Sequence, residues 1–160
     1  MRDEGGNGQE HEAEAMVQGC LTFGSSLRCK AMGQHSKLYA KGLDEMRRHL
    51  GPQADHLIGR IEAISAEFAK VNVEFPYGEL YSRHVLDPRV RELCTVAALT
   101  VQGFSSPQLK LHLEAALNCG ASKEEIIEII TQMIAYAGFP AATNALLAAG
   151  AVFDQREASA

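Results

Sequence analysis

Residues 86–126, LDPRVRELCTVAALTVQGFSSPQLKLHLEAALNCGASKEEI, carry the punctuation of consecutive helices. Asp87-Pro88 opens the first, with Asp87 as N-cap and Pro88 at the first helical position, where its missing N–H costs nothing. Ser106-Pro107 repeats the device. Gly103 and Gly120 close the first two helices as left-handed caps. Ser122, with Glu125 three residues on, forms a capping box and starts a third. Spacing predicts inward stripes of Val90, Leu93, Cys94, Ala97 and Val101 on the first helix and of Leu109, Leu113, Ala116 and Leu117 on the second. The run IIEIITQMI (126–134) would pass for a buried strand in isolation. Its cap, its length and the polar row Glu125, Glu128, Gln132 and Tyr136 decide for a helix.

Working outward, the same texture continues. Gly138-Phe139-Pro140 reads as a stop and a new start, followed by an Ala-rich helix to about Phe153. Upstream, a helix from about Leu38 to Leu50 ends at Gly51-Pro52. A second, from about Gln53 to Val71, places Leu57, Ile61, Ile64 and Phe68 on one face. Residues 72–86 (NVEFPYGELYSRHVL) break the rhythm at Pro76 and Gly78 and read as a loop with at most a short helical turn. The expected class is therefore all-α, with about six helices in a domain over residues 35–160. Residues 1–34, Gly-rich and acidic at their start and without helical period, are expected to be a disordered extension.

Composition agrees with that class. Hydrophobic residues make up 46% of the 160 residues and charged residues 22%, an ordinary globular balance. Without Trp and with 6% aromatics, the core must come from Leu, Ile, Val and Ala. The net charge of -5 is concentrated at the N-terminus, where residues 1–15 hold five acids against Arg2. A nearly neutral body with no Lys/Arg cluster beyond Arg47-Arg48 offers no footprint for nucleic acid. No apolar stretch approaches the ~20 residues of a membrane span, and the acidic N-terminus is unlike a signal peptide. The expectation is a cytoplasmic protein with no membrane association. Cys20, Cys29, Cys94 and Cys119 lie at no metal-ligand spacing, and Cys94 and Cys119 are expected to be small buried hydrophobes.

Among groups able to carry chemistry, His112 stands out. It lies three residues after Leu109 and four before Ala116, on the border of an inward stripe. An imidazole there suits a general acid or base if a carboxylate fixes its tautomer. Glu92, on the preceding helix across a short turn, is the candidate carboxylate; the bland alternative pairs Glu92 with Arg89 or Arg91 at the surface. Glu79, Arg83 and His84 bring charge beside the aromatics Phe75, Tyr77 and Tyr81. Arg83 is suited to hold a carboxylate in a forked pair. Tyr136, one turn before Gly138, can present a hydroxyl inward or simply pack.

The runs YGELYSR (77–83), LDPRVREL (86–93), QLKLHLEAALNCGASKEEI (108–126) and YAGFPAATNAL (136–146) resemble the carboxymuconolactone decarboxylase family, over roughly residues 36–154. The resemblance implies an all-α fold assembling into trimers or hexamers, with active sites near subunit contacts. The related alkylhydroperoxidase D branch uses a CxxC pair followed by a His, with an upstream Glu. His112 and Glu92 match that His and Glu, while Ser105 and Gln108 occupy the cysteine positions. The decarboxylase branch lacks the CxxC and keeps the His, as here. Tyr81 stands where many members carry Trp.

The implied activity is decarboxylation, without a cofactor or metal, of a small carboxylated lactone such as 4-carboxymuconolactone in aromatic-compound breakdown. His112 would donate the proton, Glu92 would orient it, Arg83 would anchor a carboxylate, and Glu79 and Tyr136 would complete the pocket. The alternatives are a peroxidase or disulfide reductase using Cys94 or Cys119, and a non-catalytic oligomeric binding protein of the same fold.

Overall fold

The caps at Asp87, Gly103, Gly120 and Ser122 form as their residues dictate, whereas the opening expected at Ser106 moves to Ser105, whose side chain makes no cap bond. In the computed structural model the Asp87 carboxylate accepts from the Arg89 backbone N–H at 2.9 Å, with Pro88 at the start of the helix. Gly103 and Gly120 take φ of +73° and +91°, a region that L side chains avoid. Ser122 and Glu125 satisfy each other's backbone N–H groups at 3.1 and 2.9 Å. The structure describes residues 36–159, so the expected disorder of 1–34 lies outside the described residues.

Among the described residues, seven α-helices and one π-helical segment follow in order: Lys37–Leu50 (α1), Gln53–Glu62 (α2), Ala66–Val73 (α3), the π-helical segment Glu74–Tyr81, Pro88–Gln102 (α4), Ser106–Asn118 (α5), Lys123–Gln132 (α6) and Ile134–Ala158 (α7). No strand occurs among the described residues, and the all-α expectation stands.

Several details differ from the reading of the sequence. The expected single helix over 53–71 is two, because Ser65 turns extended (φ -152°) and its hydroxyl accepts from the Phe68 N–H as a new N-cap. That break carries Ile64 (89% exposed) and Phe68 out of the core. The expected loop at 72–86 is helical as far as Tyr81, where wider π turns accommodate Pro76 and Gly78. The stripe of α4 is rotated from the apolar count: Glu92, Val96 and Thr100 are buried, whereas Val101 and Cys94 are exposed. Cys119 is half-buried, so neither cysteine is the buried hydrophobe expected. Finally, α7 runs to Ala158, beyond Phe153. It is long and apolar enough by composition to cross a bilayer, yet Ala142, Ala145, Ala148, Ala149 and Val152 pack into the core. Its break falls where Gly138-Phe139-Pro140 announced it, with non-helical Gly138 at φ +77°.

Two apolar clusters result. One joins α4 to α7 through Val96, Leu109, Leu113, Ile126, Ile130 and the small residues of α7. The other joins α1, α2, α3 and the π-helical segment through Tyr39, Met46, Leu50, Ile58, Val73 and Tyr77. Helix α5 belongs to both, since Leu109 and Leu113 face the first and Ala115 the second. Between α1 and the π-helical segment the backbones nearly touch. A Cβ on Gly42 would fall 2.5 Å from the Val73 carbonyl oxygen, and one on Gly78 would fall 2.9 Å from Leu38 Cδ1. Lys41 adds a hydrogen bond from Nζ to the Gly78 carbonyl at 3.1 Å.

Candidate active site

At the seam between the two clusters lies Glu92, whose side chain is 0% exposed. Each oxygen is taken by a different imidazole. His112 Nδ1 is 2.8 Å from Oε2 and His49 Nδ1 is 2.6 Å from Oε1. A carboxylate accepts only, so both Nδ1 atoms carry hydrogen and donate, which leaves Nε2 as the working atom of His112. Removing a carboxylate from water is costly unless it is paired and hydrogen-bonded. Here burial opposes the charge, but the bonds from His112 and then His49 outweigh it and hold the carboxyl below its ordinary 4.5.

The His112 side chain is 15% exposed, at the edge of the core rather than within it. The predicted pairing of His112 with Glu92 is thus present, and the surface alternative is not: Arg89 pairs instead with Glu125, tying α4 to α6. Neighbouring helices across a tight turn must pack, and α4 and α5 do so.

His49 escaped the reading of the sequence, and its surroundings show how it is held. It ends α1, 1% exposed, with Nε2 3.3 Å from Glu45 Oε1 one turn earlier. Glu45 is itself buried and pairs through Oε2 with Arg48 at 2.8 Å. Cys119 Sγ lies 3.4 Å from His49 Nδ1, and Asn118 Nδ2 donates to the His49 carbonyl at 2.9 Å, joining the end of α1 to the end of α5. Burial works against an imidazolium at His49. The contacts with Cys119 and Glu92 prevail, and its pKa is pushed up to about 10. A signal was present: Tyr39, Gly42, Met46 and His49 recur at steps of three, four and three, which places His49 on the buried stripe of α1.

Aromatic rings close the other side. Tyr77 and Tyr81 stand edge-on to His49, with centroids 6.2 and 5.0 Å away. The Thr95 hydroxyl donates to the Arg91 carbonyl at 3.0 Å, which leaves its oxygen to accept from Tyr81 at 2.8 Å. Burial pushes Tyr81 up to about 12, with Glu92 adding to the rise, so this phenol stays neutral.

The remaining predicted residues are not gathered around His112 within one protomer. Glu79 and Arg83 are exposed, and Arg83 Nε donates to the Glu79 carbonyl at 3.0 Å, capping the end of the π-helical segment. Tyr136 is 73% exposed, and among the described residues no hydrogen bond or ring contact joins it to His112. Ser105 and Gln108 lie at the start of α5, Ser105 bonded to Gln102 at 2.9 Å. Exposed His84 is given no role by its surroundings. Among the described residues no three His, Cys, Asp or Glu side chains converge as a metal site.

Comparison with known proteins places the chain in a family. The model of the carboxymuconolactone decarboxylase family matches residues 66–151, which include Glu92, His112 and Cys119. Over 116 residues the chain is 32% identical to the 4-carboxymuconolactone decarboxylase of Acinetobacter baylyi, covering 72% of this chain and 86% of that protein. It is 36% identical over 115 residues to an uncharacterized 15.0 kDa protein encoded between nqo9 and nqo10 in Paracoccus denitrificans, covering 71% and 86%. A 96-residue stretch is 29% identical to peroxisomal protein 2 of Schizosaccharomyces pombe, covering 59% of this chain and 42% of that one. With more than half its length matched by the family model and a decarboxylase relative spanned over most of its length, the chain belongs to the carboxymuconolactone decarboxylase family.

Proposed function

We propose that the protein is a cofactor-free decarboxylase of a small carboxylated lactone, of the kind named by its Acinetobacter relative, with His112 as the proton donor. The observation that carries this reading is the bond from His112 Nδ1 to buried Glu92, which fixes a ring that is still 15% exposed and leaves Nε2 as the nitrogen not engaged by that carboxylate. In the reaction the bond from carbon to the carboxylate breaks and carbon dioxide leaves. The electron pair spreads through the unsaturated lactone onto its carbonyl oxygen. Imidazolium Nε2–H of His112 then protonates carbon, and solvent returns the proton to Nε2. The balance is one carboxylate and one proton in, one C–H bond and one carbon dioxide out.

Arg83 anchors a substrate carboxylate, and Glu79 and Tyr136 complete the pocket. Their exposure within the protomer fits a site finished by a neighbouring subunit. Support for a homo-oligomer comes from the apolar side chains left on the surface, among them Ile64, Val85, Phe104, Phe139 and Leu147. A cytoplasmic setting without nucleic-acid or membrane partners accompanies this reading. A second reading, thiol chemistry, draws on Cys119 Sγ beside His49. Peroxide turnover lost on Cys119→Ser would favour it.

Ultraviolet-monitored turnover of a lactone panel, with released carbon dioxide measured in parallel, tests the main proposal. His112→Ala is expected to reduce turnover about 10²–10⁴-fold, the range for losing a general acid. A folded His112→Ala protein working at the wild-type rate overturns it.

A further inference from the structure

We propose that His49, clamped between Glu45 and Glu92, is a positioning residue that balances the charge of Glu92 and so sets the proton equilibrium of His112. This rests on the reading of His112 as the acid–base group.

The argument begins with Glu92, which is fully enclosed and bonded to two rings. A buried carboxylate needs a cationic partner, and the geometry favours His49. Both of its nitrogens face carboxylates, Nδ1 on Glu92 at 2.6 Å and Nε2 on Glu45 at 3.3 Å. It also sits in the last turn of α1, where the helix dipole favours a cation. Among the described residues His112 meets one carboxylate only, the same Glu92, at the longer distance of 2.8 Å.

Other groups facing this cluster leave the assignment in place. From α1 come Glu45 and Arg48, themselves paired at 2.8 Å. From the end of α5 comes Cys119, and from the π-helical segment come Tyr77 and Tyr81, both pushed upward by burial and so neutral. Arg91 on α4 donates to the Arg83 carbonyl at 3.0 Å and acts on the Tyr81 phenol against the rise from burial. The raised His49, at about 10, accords with the geometry.

Two consequences follow. With His49 charged, Glu92 orients His112 without depending on His112 for its counter-charge. If His49 is made neutral, His112 becomes the only ring able to supply that charge and holds its proton to higher pH.

The experiment is an NMR titration of the full chain with labelled histidine, comparing wild type, His49→Gln and His49→Asn, with the pH dependence of lactone turnover recorded beside it. In His49→Gln the His112 midpoint is expected to rise by about one pH unit or more, a roughly tenfold change in its proton equilibrium. The pH–kcat profile should move in the same direction, with KM little changed. His49→Asn, the shorter neutral amide, should produce a rise of the same sign and serves if His49→Gln does not fold. An unchanged or lowered His112 midpoint in the folded variants overturns the inference. If the midpoint rises while His112→Ala keeps full turnover, the electrostatic coupling stands and the catalytic reading falls.

Discussion

Residues 88–158 and residues 37–81 are both helical, but different forces define them. In the C-terminal region the helix ends are set by short-range chemistry: Asp87 at the start of α4, the Ser122–Glu125 box on α6, and glycines 103 and 120 at left-handed caps. Its core is made of small and aliphatic side chains. In the N-terminal region the decisive contacts are remote in sequence. Gly42 approaches Val73, Gly78 approaches Leu38, and the stripe of α1 carries Glu45 and His49 into the interior toward Glu92. Local rules therefore shape one region, while contact between backbones and buried charge shapes the other. The candidate site lies where the two meet.

The largest effect that would probe this contrast is on pH-dependent stability. His49 is raised from 6.5 to about 10 on folding, so its contribution is fully present below pH ~6.5 and is lost as pH rises through about 10. Glu92 is lowered from 4.5, so its contribution is present above pH ~4.5 and is lost as the solution is acidified below that. Denaturant titrations from pH 6 to 10.5 should show an alkaline loss on the order of a few kcal/mol that His49→Gln abolishes. A flat alkaline limb in the wild type would mean that buried charge does not hold the seam.

Next in size is Gly42→Ala. An added methyl has no room against the Val73 carbonyl, and rigid overpacking costs ~1–3 kcal/mol. Thermal melts should show this cost together with reduced turnover, because α1 carries His49. If the variant melts like wild type, the close approach of α1 to the π-helical segment is not structural. The smallest effect belongs to the locally defined region: Ser122→Ala removes one half of the capping box and should cost ~1 kcal/mol with turnover unchanged. A large loss of activity from this change would blur the division between the regions.

The readability of the fold follows the same line. Caps, glycine stops and the α5 stripe were legible because each depends on residues within one turn of one another. The break at Ser65 was hidden by a continuous apolar spacing through Leu57, Ile61, Ile64 and Phe68, which concealed that the chain turns there. The π-helical segment was hidden because Pro76 and Gly78 mark a loop unless a neighbouring helix presses against them. On α4 the apolar count misplaced the buried face because a carboxylate, Glu92, occupies it. Of the site, His112 and Glu92 were within reach of the sequence. His49 and Glu45 were not singled out, since the carboxylate that His49 meets lies 43 residues away.

What the sequence determined by itself is the helical class and most of the punctuation of residues 86–140, because short turns and end caps oblige consecutive helices to pack; the pairing of His112 with Glu92 it offered only as one of two alternatives. What only the tertiary structure decided is that α1 brings a second imidazole to the other oxygen of the same carboxylate. That meeting depends on the close passage of two backbones and on the cost of leaving a buried charge uncompensated, and neither is written in any local pattern of residues.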